Sequence, residues 1–97
     1  MADTEVTRND AEQRYEVRVD GALAGSAYFD LSDDLISFTH TEVDDAYEGK
    51  GVGSALARGA LDDVRADGRR KVLPRCAFIA GWIARHPDYH DLVDPDF

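Results

Sequence analysis

Between residues 45 and 68 the chain reads "DAYEGKGVGSALARGALDDVRADG", with Gly49, Gly51 and Gly53 at every second position where an apolar helical period begins. Each glycine inside a helix costs roughly 1 kcal/mol against alanine. Three together therefore mark a corner that needs left-handed dihedrals or room for a close neighbour. The first amides of a helix lack an internal partner and sit at the positive end of its dipole. A corner stripped of side chains there can receive phosphate oxygens. Gly51, Val52, Gly53 and Ser54 would supply N–H donors, Lys50 a charge and Ser54 a hydroxyl. The other reading of these glycines is a tight turn with close helix-to-sheet packing.

A second set of reactive groups lies elsewhere. Cys76 is the sole cysteine, which excludes an internal disulfide, and His40, His86 and His90 have no zinc-type spacing. Cys76 opens a helical segment beside Arg75, a setting that favours a thiolate. It can act as a proton donor or a nucleophile, or only pack as a small apolar residue. His40 follows Ile36 and Phe38 in an alternating run, so it reads as a general base or as a satisfied core histidine. Glu42 reads as a proton acceptor or a solvated carboxylate, and Glu48 as solvated too. His86 and Tyr89 read first as residues that close the second helix against the body of the fold.

Three nucleotide motifs compete for the glycine corner. A P-loop needs Lys followed by Ser or Thr, but Lys50 is followed by Gly51. The dinucleotide fingerprint fails because Ser54 stands where its third glycine belongs. The coenzyme A pyrophosphate loop has Gln or Arg, two residues, Gly, one residue, then Gly or Ala. "EGKGVG", residues 48–53, meets its glycine positions and departs at the first, where Glu48 replaces Gln or Arg.

A length of 97 residues allows one domain with one core. The net charge of −9, from 20 acidic and 11 basic residues, speaks against nucleic acid as a partner. It points weakly toward a basic one. No apolar run reaches membrane-span length and "MADTEVTRND" lacks signal-peptide features, so the expectation is a cytoplasmic protein without a membrane partner. An anionic ligand would have to be held by local donors against the overall field.

The elements that must position these groups are legible as periods. Residues 1–11 are polar without a period and read as a flexible tail. Tyr15, Val17 and Val19 alternate with charged residues up to Asp20-Gly21, a hairpin turn signal. The next strand spans about residues 22–29, with Gly25 marking a bulge or a close backbone approach. "LISFTHTEV" (35–43) is a third strand with Ile36, Phe38 and His40 on one face. Residues 51–66 carry Val52, Leu56, Ala57, Ala60, Leu61 and Val64 at helical spacing, with Arg58, Asp62 and Arg65 on the polar face and Gly68 as C-cap. "RRKVLP" is a fourth strand stopped by Pro74. "CAFIAGWIARH" is a second helix with Phe78, Ile79, Trp82 and Ile83 as core candidates, and "PDYHDLVDPDF" is a helical turn and a tail. The order βββαβα predicts an α+β fold, a mostly antiparallel sheet carrying two helices.

On "FTHTEV" (38–43), "YEGKGVGSAL" (47–56) and "VLPRCAFIAGWIARHPDY" (72–89), in that order, the chain resembles the small GNAT-like acetyltransferases, reduced relatives of the GCN5-related N-acetyltransferases. The resemblance covers residues 13–93. It implies transfer of acetyl from acetyl-CoA, without a metal, to an unidentified amine by direct attack. A coenzyme A or acyl-CoA binding module without catalysis, or an interaction domain with a purely structural corner, are the rival expectations. The resemblance further implies that the strand end at His40, Thr41, Glu42 and Val43 offers groups to the pantetheine arm. The loop with Glu48, Gly49, Lys50, Gly51, Val52, Gly53 and Ser54 would hold the pyrophosphate. Cys76, His40 and Glu42 are the catalytic candidates, with Cys76, His86 and Tyr89 also near the cosubstrate. The expected state is a monomer or weak homodimer, in which a second subunit can complete the acceptor wall.

Overall fold

The computed structural model describes residues 3–97. An antiparallel meander consists of β1 (Thr4–Asn9), β2 (Arg14–Val19), β3 (Ala22–Leu31) and β4 (Leu35–Val43), the apolar alternation being clearest in β2. Past β4, α1 (Val52–Asp67) crosses over to β5 (Lys71–Pro74), which pairs parallel to β4 and completes the order β1-β2-β3-β4-β5. A further helix, α2 (Ala77–Ala84), follows, and residues 87–92 form a 3-10 turn. The fold is thus α+β with two main helices, as the periodicity predicts, with one strand more.

That extra strand overturns the reading of residues 1–11 as a tail. Thr4 to Asn9 pair with β2 over six positions, and Val6 packs on the core; residues 1 and 2 lie outside the described residues. The reason is a contact invisible in local sequence. At Gly59, in the middle of α1, an added Cβ would stand 2.6 Å from the Cβ of Val6. The bare helix surface lets β1 approach, and its ladder to β2 supplies the backbone partners.

The Asp20-Gly21 turn joins β2 and β3 as expected, with φ of 51° and 86°. The register shifts opposite Val17 and Arg18, beside Gly25, and a Cβ on Gly25 would sit 2.8 Å from the Glu42 carbonyl oxygen, so Gly25 marks both a bulge and a close approach. Tyr15, Phe29 and Phe38 form an aromatic cluster under α1, with ring centroids 5.4–6.4 Å apart. Tyr15 also donates to Asp63 of α1 at 2.6 Å. Burial, then that bond to a carboxylate, raises its phenol pKa.

The polar face of α1 is not left to water. Arg65 makes a two-pronged bond with Asp91, at 2.9 and 3.0 Å, and Asp62 accepts from Tyr89 at 2.7 Å. These bonds fasten the segment after α2 to α1. Beyond it the expected tail returns to the sheet: Val93 bridges Val72 and the Asp94 N–H donates to the Val72 carbonyl at 2.9 Å. Phe78 is a second correction. It is 38% exposed, because it lies at the edge of the stripe that Ile79, Trp82 and Ile83 bury, where its ring stands over the bare surface of Gly53.

The sheet face away from the helices carries charge. Glu16, only 4% exposed, accepts from Arg14 at 2.8 Å, Arg18 at 3.0 Å and Asn9 at 3.1 Å. The Arg14 bond first, then Asn9 and Arg18, hold this carboxyl below its ordinary 4.5 against the opposing effect of burial.

Two outcomes follow from this packing. Helix propensity alone makes Gly59→Ala stabilising by about 1 kcal/mol, whereas the contact with Val6 makes it destabilising by about 1–3 kcal/mol, a difference of sign that urea unfolding measures. The lowered Glu16 pKa means that its share of stability is full above pH 4.5 and is lost as pH falls through the folded value. Unfolding midpoints between pH 3 and 7 should therefore fall less steeply on the acid side in Glu16→Gln, which starts lower at pH 7.

Candidate functional site

β4 and β5 run together only briefly. Their register ends at Phe38 and Pro74, after which the Cys76 N–H donates to the Phe38 carbonyl at 2.8 Å and the chain turns into α2. β4 continues alone to Val43. Its peptide groups alternate in direction: the Asp44 N–H donates to Ala24 at 2.8 Å, so those of Thr41 and Val43 face the edge that β5 has left.

A bulge decides which side chains accompany them. Tyr28 pairs with His40 and Phe29 with Phe38, which leaves Thr39 as an extra residue on β4. One added residue reverses the alternation. Thr41 and Val43 thereby join the helix side, while His40 and Glu42 move to the outer face. There His40 Nε2 and Glu42 Oε1 lie 3.0 Å apart, both side chains exposed, with His40 stacked beside Tyr28. This corrects the strict alternation that puts His40 with Ile36 and Phe38.

On the helix side the parting opens a cleft of about 500 Å³ between β4, the corner before α1, and α2. The corner forms one wall. Gly49 and Gly51 have φ of 76° and 77°, which L side chains rarely adopt, and nothing lies within 4 Å of where their Cβ atoms would be. Gly51 is the N-cap of α1 and no side chain caps its amides. The first-turn amides at Val52, Gly53 and Ser54 are thus bare. Gly53 has a different cause: a Cβ there would come 2.9 Å from Phe78 Cζ, so this glycine admits the exposed ring that walls the cleft from α2. The sequence dichotomy of strained dihedrals or a close neighbour resolves as both, at different glycines.

Ser54 contributes to the corner but is tied down, since its hydroxyl accepts from Trp82 Nε1 at 2.9 Å. The hydroxyl keeps its own proton to donate. His86 stacks on the Trp82 ring at 3.7 Å, and its Nδ1 donates to the Trp82 carbonyl at 2.6 Å, which fixes the ring against one wall of the cleft. Glu48 also lines the cleft. Lys50 does not: it points to a separate hollow beside Val19 and Ala22.

Cys76 is the N-cap of α2 and only 7% exposed. Its Sγ shares a hydrogen bond with Thr41 Oγ1 at 3.3 Å, and it is Thr41 that lines the cleft. The thiol therefore addresses the cleft through a hydroxyl. Tyr89 stands apart. It is buried, donates to Asp62 and accepts from Arg58 Nη1 at 3.2 Å. The Asp62 bond first, then burial, raises its pKa. Its role is the one the residues suggested first, closing the chain on α1.

The structure thus brings Thr41, Val43, Glu48, Gly49, Gly51, Val52, Gly53, Ser54 and His86 to one cleft, and sets His40, Glu42, Lys50 and Tyr89 outside it. Sequence reasoning missed Tyr47, Phe78, Trp82 and Arg85 on its walls. Phe78 and Trp82 read from the helical period as core, and neither Tyr47 nor Arg85 carries a local signal that sets it apart.

Known proteins are similar to this chain. The family model described as GCN5-related N-acetyl-transferase matches residues 14–92. Protein NATD1 of Gallus gallus is 29% identical over 85 residues, covering 86% of this chain and 76% of its own length. Protein NATD1 of Mus musculus is 31% identical over 77 residues, covering 77% and 69%.

Proposed function

The chain belongs to the GCN5-related N-acetyltransferase family, and from that premise we propose that it transfers acetyl from acetyl-CoA to an amine by direct attack. The observation that carries this reading is the cleft where β4 leaves β5, walled by the uncapped amides at residues 51–54. Those residues fit the cosubstrate. A pyrophosphate needs donors without side chains in the way, and Gly49 and Gly51 leave that space open. A pantetheine arm needs strand-edge peptide groups, and Thr41 and Val43 have them. When bound, acetyl-CoA supplies the activated acetyl thioester.

The remaining chemistry is the chain's own. The Cys76–Thr41 pair can deliver a proton to a departing thiolate, Thr41 passing its hydroxyl proton into the cleft and taking one from the thiol. This arrangement favours Cys76 as a proton source over Cys76 as nucleophile, since the buried sulfur lies behind the hydroxyl. Glu42, with His40 beside it, can take the proton that an incoming ammonium must lose before it attacks. The amine then approaches from the outer sheet face.

A second reading, a coenzyme A binding module without catalysis, is favoured by one observation: the cleft and the His40–Glu42 pair stand on opposite faces of β4. Turnover separates the two.

Calorimetric titration tests the cleft. The protein should bind CoA and acetyl-CoA saturably. Gly51→Asp puts a carboxylate at the corner in a conformation that Asp tolerates, and should weaken both at least ~10-fold while circular dichroism stays unchanged. Absence of binding by the parent protein would remove both coenzyme readings.

Steady-state kinetics with an amine panel tests the relay. Thr41→Val and Cys76→Ala should each lower kcat roughly 100-fold with CoA affinity within about twofold of the parent. An unchanged kcat in Thr41→Val would eliminate the relay.

A further inference from the structure

The coenzyme A loop pattern begins with Gln or Arg, and this chain has Glu48 there. A carboxylate beside a phosphate site is unfavourable by like-charge repulsion. The proposed function therefore leaves a deficit of positive charge, and Lys50, turned to another hollow, does not fill it.

The arginines show where the charge comes from. Arg8, Arg14, Arg18, Arg65, Arg69 and Arg70 are engaged in ion pairs, and Arg58 bonds the Tyr89 hydroxyl. Among the described residues, Arg75 and Arg85 have no such side-chain partner. Only Arg85 of these two lines the cleft. In a chain with 20 acidic residues against 11 basic ones, a guanidinium without a carboxylate partner is the exception.

Its position is set by α2. Arg85 is the C-cap of that helix, its N–H donating to Trp82 at 3.1 Å and Gly81 at 3.3 Å. The side chain folds back along the helix, so that Nη1 lies 3.5 Å from where a Gly81 Cβ would be. The guanidinium therefore shares one cleft with the positive end of the α1 dipole. Both positive features face a hollow whose wall carries one carboxylate, Glu48, and an anion entering it would meet the helix end and the guanidinium together.

We infer that Arg85 is a phosphate-binding residue of this cleft, supplying from α2 the charge that position 48 supplies in the usual loop. The inference rests on the proposed function and deepens it. The ligand is the phosphate part of the coenzyme, either its pyrophosphate or its 3′-phosphate. Arg85 forks toward phosphate oxygens with charge-assisted hydrogen bonds.

The test is calorimetric titration of CoA and of dephospho-CoA, which lacks the 3′-phosphate, into the parent, Arg85→Ala and Arg69→Ala. Arg85 is exposed, so its variant should keep the parent's circular dichroism. Arg85→Ala should weaken CoA binding roughly 10- to 100-fold, whereas Arg69→Ala, the same loss of net charge outside the cleft, should stay within about twofold. An equal loss with both ligands assigns Arg85 to the pyrophosphate, and a loss with CoA alone assigns it to the 3′-phosphate. Adding Glu48→Arg to Arg85→Ala should restore most of the affinity. If the parent binds CoA and Arg85→Ala binds it equally well, the inference is overturned while the function stands. It is overturned also if Arg69→Ala loses as much, or if Glu48→Arg restores nothing. No binding by the parent would instead end the proposed function itself.

Discussion

The parting of β4 from β5 is the constraint on which the site depends. Two parallel strands normally satisfy each other's edges, yet here β5 ends at Pro74 while β4 runs five residues beyond Phe38, to Val43. The peptide groups left over at Thr41 and Val43 are sheet edge without a strand. Thr39 adds a second effect at the same point: an unpaired residue reverses the faces of everything after it. Together they put a hydroxyl and an open edge on the helix side and an imidazole–carboxylate pair on the other. Two neighbouring irregularities thus place two sets of polar groups on opposite faces of one strand.

The helices hold that opening at a fixed width. Phe78 reaches α1 only because residue 53 is glycine, and Trp82 bonds Ser54 in the same turn that presents the bare amides. Lower down, Asp62 and Arg65 of α1 bind Tyr89 and Asp91, which closes the chain after α2 onto the helix before it. Beyond, Val93 covers β5 at Val72. The contacts that stabilise the fold are therefore the ones that define the cleft, and residues that look like two separate functions, packing and binding, are held by the same side chains.

Charge follows a similar division. The chain is strongly acidic, yet its buried carboxylate, Glu16, is matched by two arginines, and most other arginines are matched by carboxylates. Such pairing leaves the long-range field negative and the local field of the cleft to be set by the α1 N-terminus, Arg85 and Glu48. Under the proposed function, anion recognition in this acidic protein depends on short-range donors, which a low-dielectric wall of Phe78, Trp82 and Val43 would strengthen.

Local order was legible in the sequence because it is local. The 3.6-residue period of α1, its Gly68 end, the Asp20-Gly21 hairpin and the alternation of β2 each depend on neighbours a few positions away. The glycine corner was legible for the same reason: positive φ at Gly49 and Gly51 is an intrinsic demand of the chain. What only the tertiary structure decided involves partners far apart in sequence. β1 exists because Gly59 accepts Val6 across 53 positions; the side of β4 that His40 occupies depends on a bulge in its pairing with β3; Tyr89 answers to Asp62; and Arg85 is set apart from Arg75, which is equally unpaired among the described residues, by the cleft it lines. A one-dimensional period records which residues a segment must bury. It does not record which neighbour arrives to bury them.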